Sequence, residues 1–352
     1  MRLVNHRAIA GGTTTTTDEA YWRSVDDGEA RYRHALDQAA ATPAFDALAS
    51  RSVAIVGCSG LLGSATGEIL ARVVERLGSR APRVVGMARR RGAWPLEFLA
   101  GDVTDARSFD GLRGVDACLY IAGPAGRFLD APEQTLRVHM AGLVSAIEAR
   151  SGTTGFVYVS SARVYGRKAG PVSEDAVVAV DPLALDNLYD SAKRWAEAYC
   201  LWAHQRRGWP VTIVRCSNVY GPHGSAGHAV VDLARGIWRT RRVTLTGSAA
   251  STRDYCAAAD AACGMLLALV SGTRGRAYNI GADDRWTTAR LAGHLAALAP
   301  FPVALVEPEA IEPDDLCPSI SRARSELDYE PRLTMASLGA ALLEWGRPAT
   351  PA

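Results

Sequence analysis

Residues 52–66 read SVAIVGCSGLLGSAT, an apolar run closed by Gly57, Gly60 and Gly63 and followed at once by a helical stretch. Glycines at this point let the backbone turn tightly and approach a pyrophosphate, whose charge suits the unpaired N–H groups and the dipole of a helix N-terminus. A tight turn without a ligand is the alternative. The order strand, loop, helix is what points to a dinucleotide. Further apolar runs follow, RVVGMA, LEFLAGDV, DACLYIAG, GFVYVSS and VTIVRCSNVY, separated by helix-length segments such as 62–78, 132–150 and 188–207. Runs so short and so apolar are those of strands buried on both faces of a parallel sheet. The expected fold is therefore α/β, a doubly wound parallel sheet of the Rossmann type.

A chain of 352 residues suggests more than one domain. Residues 51–222 carry the alternating pattern. Beyond them the rhythm loosens, so 223–352 is expected to hold most of a smaller substrate-binding domain, with some segments returning to the Rossmann sheet. Residues 1–50 form an N-terminal extension with a TTTTT run and then a helical composition, for which Asp18 is the expected N-cap. A structural element, a docking arm, a lid and a partly disordered tail are all compatible with it.

A formal net charge of +2 gives no strong field for nucleic acid or a membrane surface. Seven cysteines are scattered without a CxxC pair, which fits a reduced compartment. No apolar run has the length of a membrane span, and the first residues lack the apolar core of a signal peptide. A soluble, cytoplasmic protein is expected. The histidines show no metal-ligand spacing, so no metal is expected.

The second strand runs into Arg89, Arg90 and Arg91, where an NAD site would present a carboxylate to the ribose 2′-hydroxyl. A guanidinium there pairs with a 2′-phosphate instead, so NADP(H) is the preferred cofactor and NAD the alternative. A solvated basic loop is the plainer reading of the same residues. Asp102, closing the third apolar run, is placed to accept from an adenine amino group.

In LYDSAKRWAEAYC, Tyr189 and Lys193 stand four residues apart, neighbours on one helix face. A free phenol with a pKa near 10 carries protons poorly at neutral pH. A lysine ammonium one turn away, and a nicotinamide-ribose cation nearby, would lower it. An amphipathic helix with a surface lysine explains a bare Y-x-x-x-K equally well. Ser160 and Ser161 in VYVSSARVYG change the balance, because they emerge at the carboxyl edge of the sheet, where doubly wound folds bind ligands.

With GCSGLLG, GDV, VYVSSARVYG, YDSAK, RCSNVYGP, TRDY, YNIG and SRARSELDYEP in one order, the chain resembles the extended short-chain dehydrogenase/reductase family from about residue 52 to 345. That family contains nucleotide-sugar epimerases, dehydratases and reductases. The resemblance implies that Ser161 orients the reacting oxygen, Tyr189 is the acid/base, and Lys193 binds the nicotinamide ribose. It places Gly57, Ser59, Gly60, Leu61, Leu62, Gly63, Arg89, Arg90, Asp102, Val103 and Ala122 at the cofactor, with Tyr189 and Lys193. It assigns Ser161, Asn218 and Arg253 to a sugar-nucleotide substrate, the arginine at its phosphates. For Arg253 an ion pair with Asp254, and for Asn218 a turn cap, are the structural alternatives. A homodimer through the tyrosine-bearing helix is implied as well.

Departures from the family pattern narrow the chemistry. Its 4,6-dehydratases follow the catalytic hydroxyl with Asp-Glu, and its decarboxylases carry a glutamate two residues after it. Here those positions are Ala162 and Arg163. Simple hydride transfer at a carbinol carbon is left. The expected activity is NADPH-dependent reduction of a keto group, at C4, on a nucleotide-linked sugar, as in NDP-4-keto-6-deoxyhexose reductases. A 4-epimerase with tightly bound NAD and a catalytically idle Rossmann-type binding protein are the alternatives. His139 stands where related enzymes have an asparagine near the cofactor; it either keeps one hydrogen bond there or marks a shifted helix.

Overall fold

The computed structural model describes residues 3–4, 14–124, 131–149, 152–166, 170–178, 181, 184, 187–224, 227–245, 247–306 and 312–348, with side chains from residue 19 onward. Strands β1 (Ser52–Val56), β2 (Arg83–Ala88), β3 (Glu97–Ala100), β4 (Ala117–Tyr120), β5 (Gly155–Ser161) and β6 (Val211–Cys216) fall on the apolar runs. Two further strands, β7 (Asn218–Tyr220) and β8 (Thr252–Ala257), pair with each other in parallel. Strand β9 (Ala277–Ile280) joins the main sheet, and β10 (Arg285–Thr287) pairs antiparallel with β8. The main sheet has the order β9-β6-β5-β4-β1-β2-β3, and every pairing in it is parallel. This is the Rossmann-type α/β fold expected. The order reverses between β1 and β4, and a ligand crevice opens at the carboxyl ends of strands at such a point.

The faces of the sheet are covered because successive side chains of a strand point opposite ways. Val53 and Ile55 go to one apolar cluster, Ala54 and Val56 to the other. The first apolar cluster takes in helices α1 (Thr14–Ala40), α2 (Leu61–Leu77), α6 (Ala229–Thr240), α7 (Ala258–Val270), α8 (Thr288–Leu298), α9 (Ser321–Leu327) and α10 (Met335–Trp345). The second face carries α4 (Leu143–Glu148) and α5 (Leu188–Arg207), α4 being reached through α3 (Pro132–Leu136) and a π-helical turn, Arg137–Gly142. Strand β9 and helix α7 both come from beyond residue 222 and pack into the main sheet layer.

Helix α1 begins at Thr14, four residues before the N-cap expected at Asp18, which lies inside the helix instead. Threonine costs only a fraction of a kcal/mol against alanine in a helix, so the threonine run extends the helix backward. The helix is neither arm nor lid. Tyr21, Val25, Tyr32, Ala35, Leu36 and Ala39 are buried in the same cluster as the sheet's first face, against α2, α7 and α10. A Cβ on Gly28 would stand 2.9 Å from that of Ala341, so glycine lets α1 and α10 approach. Tyr21 Oη donates to Glu344 Oε1 at 2.6 Å, and the Tyr32 and Trp345 rings meet edge-on at 5.2 Å. Leu36 is 1% exposed. Leu36→Ala is therefore expected to cost about 3 kcal/mol, read as a lower urea midpoint; a loss near zero would show that the helix is peripheral.

Candidate active site

Strand β1 ends at Val56, and the loop that follows is built on close backbone contact. Gly57 has φ +96°, and a Cβ there would lie 2.7 Å from Ala122 N, just beyond β4. At Gly63 a Cβ would meet Gly57 O at 2.3 Å. Gly60 caps α2, so the first N–H groups of that helix face the loop. Gly57, Ser59, Gly60, Leu61 and Leu62 then line a cleft of about 550 Å³, with Gly63 packed beneath them. Arg89, Arg90, Asp102, Val103 and Ala122 continue its wall, and Ser160, Ser161 and Tyr189 close the far end. A cradle of glycine backbone at a helix N-terminus, flanked by two guanidinium groups, fits a dinucleotide.

The three arginines part company. Arg91 donates to Trp94 O at 3.3 Å and Leu96 O at 3.0 Å, folding its own loop, while Arg89 and Arg90 face the cleft. Asp102 Oδ1 accepts from Thr104 N at 2.9 Å and Thr104 Oγ1 at 2.8 Å. Those bonds, with Arg89 nearby, hold its carboxyl below the usual range.

At the other end, Ser161 is the last residue of β5 and Tyr189 lies in the first turn of α5. A hydrogen bond from Ser161 reaches the phenol. Burial pushes the phenol up to about 12, with the Ser161 bond and the Arg163 guanidinium pulling the other way. The lowering expected from Lys193 is not found: burial outweighs it, and the groups that pull the phenol down are Ser161 and Arg163. Lys193 is 3% exposed, and its ammonium donates to Val159 O at 2.7 Å and stands 5.7 Å from the centre of the Tyr189 ring. Burial brings Lys193 down to about 8, so its own charge is what the site strains to keep.

His139 is fully buried in the π-helical turn, and neither ring nitrogen has a hydrogen-bonding partner among the described residues. Its ring meets that of Tyr189 edge-on at 5.4 Å. The hydrogen bond expected of His139 is not made to any described residue, and the extra residue of the π-turn re-aims the side chains around it. Burial and Lys193 hold the imidazole neutral.

Asn218 and Arg253 stand outside the cleft wall. Asn218 Nδ2 donates to Asp254 O at 3.2 Å, and the Arg253 guanidinium is held by Asp314 through both carboxylate and carbonyl, not by Asp254. Asp254 is buried and accepts from the backbone of Ala282 and Asp284. Gln134, Ser217 and His228 also line the cleft. No motif marked them, since a single polar residue in a loop carries no period. Among the described residues no group of His, Cys, Asp or Glu is arranged to hold a metal ion.

A model of the NAD-dependent epimerase/dehydratase family matches residues 53–281. The chain belongs to that family. Its relatives within the family include the dTDP-glucose 4,6-dehydratase of Streptomyces antibioticus, 26% identical over 83% of this chain and 91% of the relative. Among solved structures it resembles UDP-glucuronic acid 4-epimerase from Bacillus cereus in complex with UDP-glucuronic acid and NAD. That match has a TM-score of 0.72 at 21% identity, over 84% of this chain and 98% of the other. RMD from Pseudomonas aeruginosa, complexed with NADPH, superposes with a TM-score of 0.70 at 23% identity, covering 84% and 97%. The family model begins at residue 53, so helix α1 lies wholly outside the matched segment.

This enzyme of the extended short-chain dehydrogenase/reductase type uses its glycine loop at the point where backbone spacing is tightest. Gly63→Ala forces that loop off Gly57 and is expected to weaken dinucleotide binding about tenfold or more, followed by quenching of tryptophan fluorescence. Unchanged affinity would show that the loop does not contact the cofactor.

Proposed function

We propose that this enzyme reduces a keto group, at C4, on a nucleotide-linked sugar with NADPH, Tyr189 acting as the general acid. The observation that carries the reading is a phenol hydrogen-bonded to Ser161 at the carboxyl edge of the sheet, where Ser161 is followed in the chain by Ala162 and Arg163 and not by the family's carboxylates. An enzyme that eliminates water or loses CO2 needs a further proton carrier. A reductase needs one donor and one hydride. The reduced nicotinamide supplies the hydride when bound.

The chain's own groups divide the remaining work. Ser161 holds the carbonyl oxygen beside the phenol, and Tyr189 gives its proton to the oxygen as negative charge develops there. A phenol pushed up to about 12 is protonated at neutral pH and suits that direction. Lys193 would hold the nicotinamide ribose of a bound cofactor. Arg89 and Arg90 would meet a 2′-phosphate, which supports NADP(H) over NAD. Asp102 would present its carboxylate to the adenine end. Arg253 reaches the substrate's phosphates only once Asp314 releases it, and Asn218 lies one strand away on β7, paired with β8.

Tyr189→Phe is expected to lower turnover on a 4-keto nucleotide sugar by about a thousandfold or more while leaving cofactor affinity near normal. Near-normal turnover would refute the assignment. Replacing Arg89 and Arg90 together by serine should cut kcat/KM with NADPH about a hundredfold and leave NADH little changed. A purified protein that instead carries stoichiometric NAD, released on heating, is the 4-epimerase.

The active chain is a homodimer in this reading, paired through α5. Trp195 and Trp202 on that helix are 38% and 42% exposed and sandwich Tyr199, with centroid spacings of 5.5 Å on either side. Light scattering should give the mass of two chains, and Trp195→Glu with Trp202→Glu should give one. A monomeric native protein would exclude the pairing.

A further inference from the structure

The residue that displaces the family's carboxylate has a partner of its own. Arg163 lies in the 3₁₀ turn after β5, and its Nε donates to Asp190 Oδ1 at 2.7 Å, with a second, longer contact from Nη2 to Oδ2 at 3.4 Å. Asp190 is the residue directly after Tyr189, and its side chain is only 5% exposed, whereas that of Arg163 is 42% exposed. The backbone N–H of Arg163 also donates to Ser161 Oγ at 3.2 Å. One residue thus touches the serine through its main chain and the tyrosine's neighbour through its side chain. Ser161 and Tyr189 come from elements 28 positions apart in sequence numbering, and this pair ties those two elements at the place where they must meet a single oxygen atom.

We propose that the Arg163–Asp190 ion pair is a positioning element of the reaction, clamping the serine-bearing turn onto the first turn of α5 and holding a cation beside the phenol. The inference rests on Tyr189 as the proton carrier. A forked guanidinium fixes a carboxylate in direction as well as distance, which a lysine does not. Burial of the Asp190 side chain makes the pair expensive to break from that side.

The groups facing the phenol come from every element packed around it. Ser161 approaches from β5 and Arg163 from the turn after it, Asp190 and Lys193 from α5, His139 from the π-turn, and Cys216 from the end of β6. His139 is held neutral, and the Cys216 thiol is pushed up to about 12 by burial, so neither carries charge near neutrality. Arg163 favours the ionised phenol and Asp190 disfavours it. Removing the two charges therefore has opposite effects.

In the oxidative direction, alcohol to ketone, the phenol must be ionised, and kcat rises with pH. Arg163→Gln should move that rise to higher pH by about half a unit and Asp190→Asn to lower pH by a similar amount. Arg163→Lys should leave the rise in place while kcat falls severalfold, because the charge is kept and the fork is lost. A fall in kcat in both neutralising variants with the rise unmoved, or moved the same way in both, overturns the proposal. Tyr189→Phe is run alongside. If it retains activity, the reading of Tyr189 fails; if it is inert while the paired variants leave the pH profile untouched, only the role of the ion pair fails.

Discussion

Parallel pairing of β1 with both β2 and β4 sets the geometry on which the site depends. The chain leaves β1 at the place where the strand order reverses, and there is room for only backbone between Gly57 and Ala122. Any side chain at Gly57 or Gly63 would separate the loop from the strand and swing the first turn of α2 away from the cleft. Because the strands on both sides are buried, the sheet cannot slide by one residue to relieve such a contact without turning apolar side chains into the wrong layer. The loop is in this sense fixed from below by the packing of Val53, Ile55, Ala54 and Val56.

The second half of the site is held by a different kind of force. Ser161 arrives on the sheet, but Tyr189 and Lys193 arrive on a helix packed against it through small residues, Ala192, Ala196, Cys200 and Ala203. Small side chains bring the helix close enough for Lys193 to reach the carbonyl of Val159 inside the sheet layer. The ammonium there has one described hydrogen-bond acceptor and aromatic faces of Tyr158 and Tyr189 around it. A buried cation so placed is a reason for the neighbouring His139 to remain neutral, since two positive charges at that depth would repel strongly.

Much of this was legible in the sequence, and the physical reasons for the exceptions are specific. Buried parallel strands are continuous apolar runs, so the sheet and the glycine loop could be read directly, and Tyr189 with Lys193 follows from helical spacing. Helix α1 was legible as a helix but not as part of the core, because its polar face dominates its composition while Tyr21, Val25, Tyr32 and Leu36 recur at helical spacing along one narrow stripe. Arg163 was read only as the absence of an acid. Its bond to Asp190 joins residues 27 apart, and nothing in local periodicity encodes that distance. The role of Asp314 beside Arg253 escaped for the same reason, the two lying 61 positions apart.

Helix α1 also bears on how the chain acquires its form during synthesis. Its apolar stripe rests on α10, with Tyr21 bonded to Glu344 and Tyr32 against Trp345. Helix α1 is thus completed by a helix made much later in the chain. Until α10 is synthesised, α1 can lie on α2 and α7 with part of its stripe facing water, and the nascent protein carries an adhesive strip that α10 later retires.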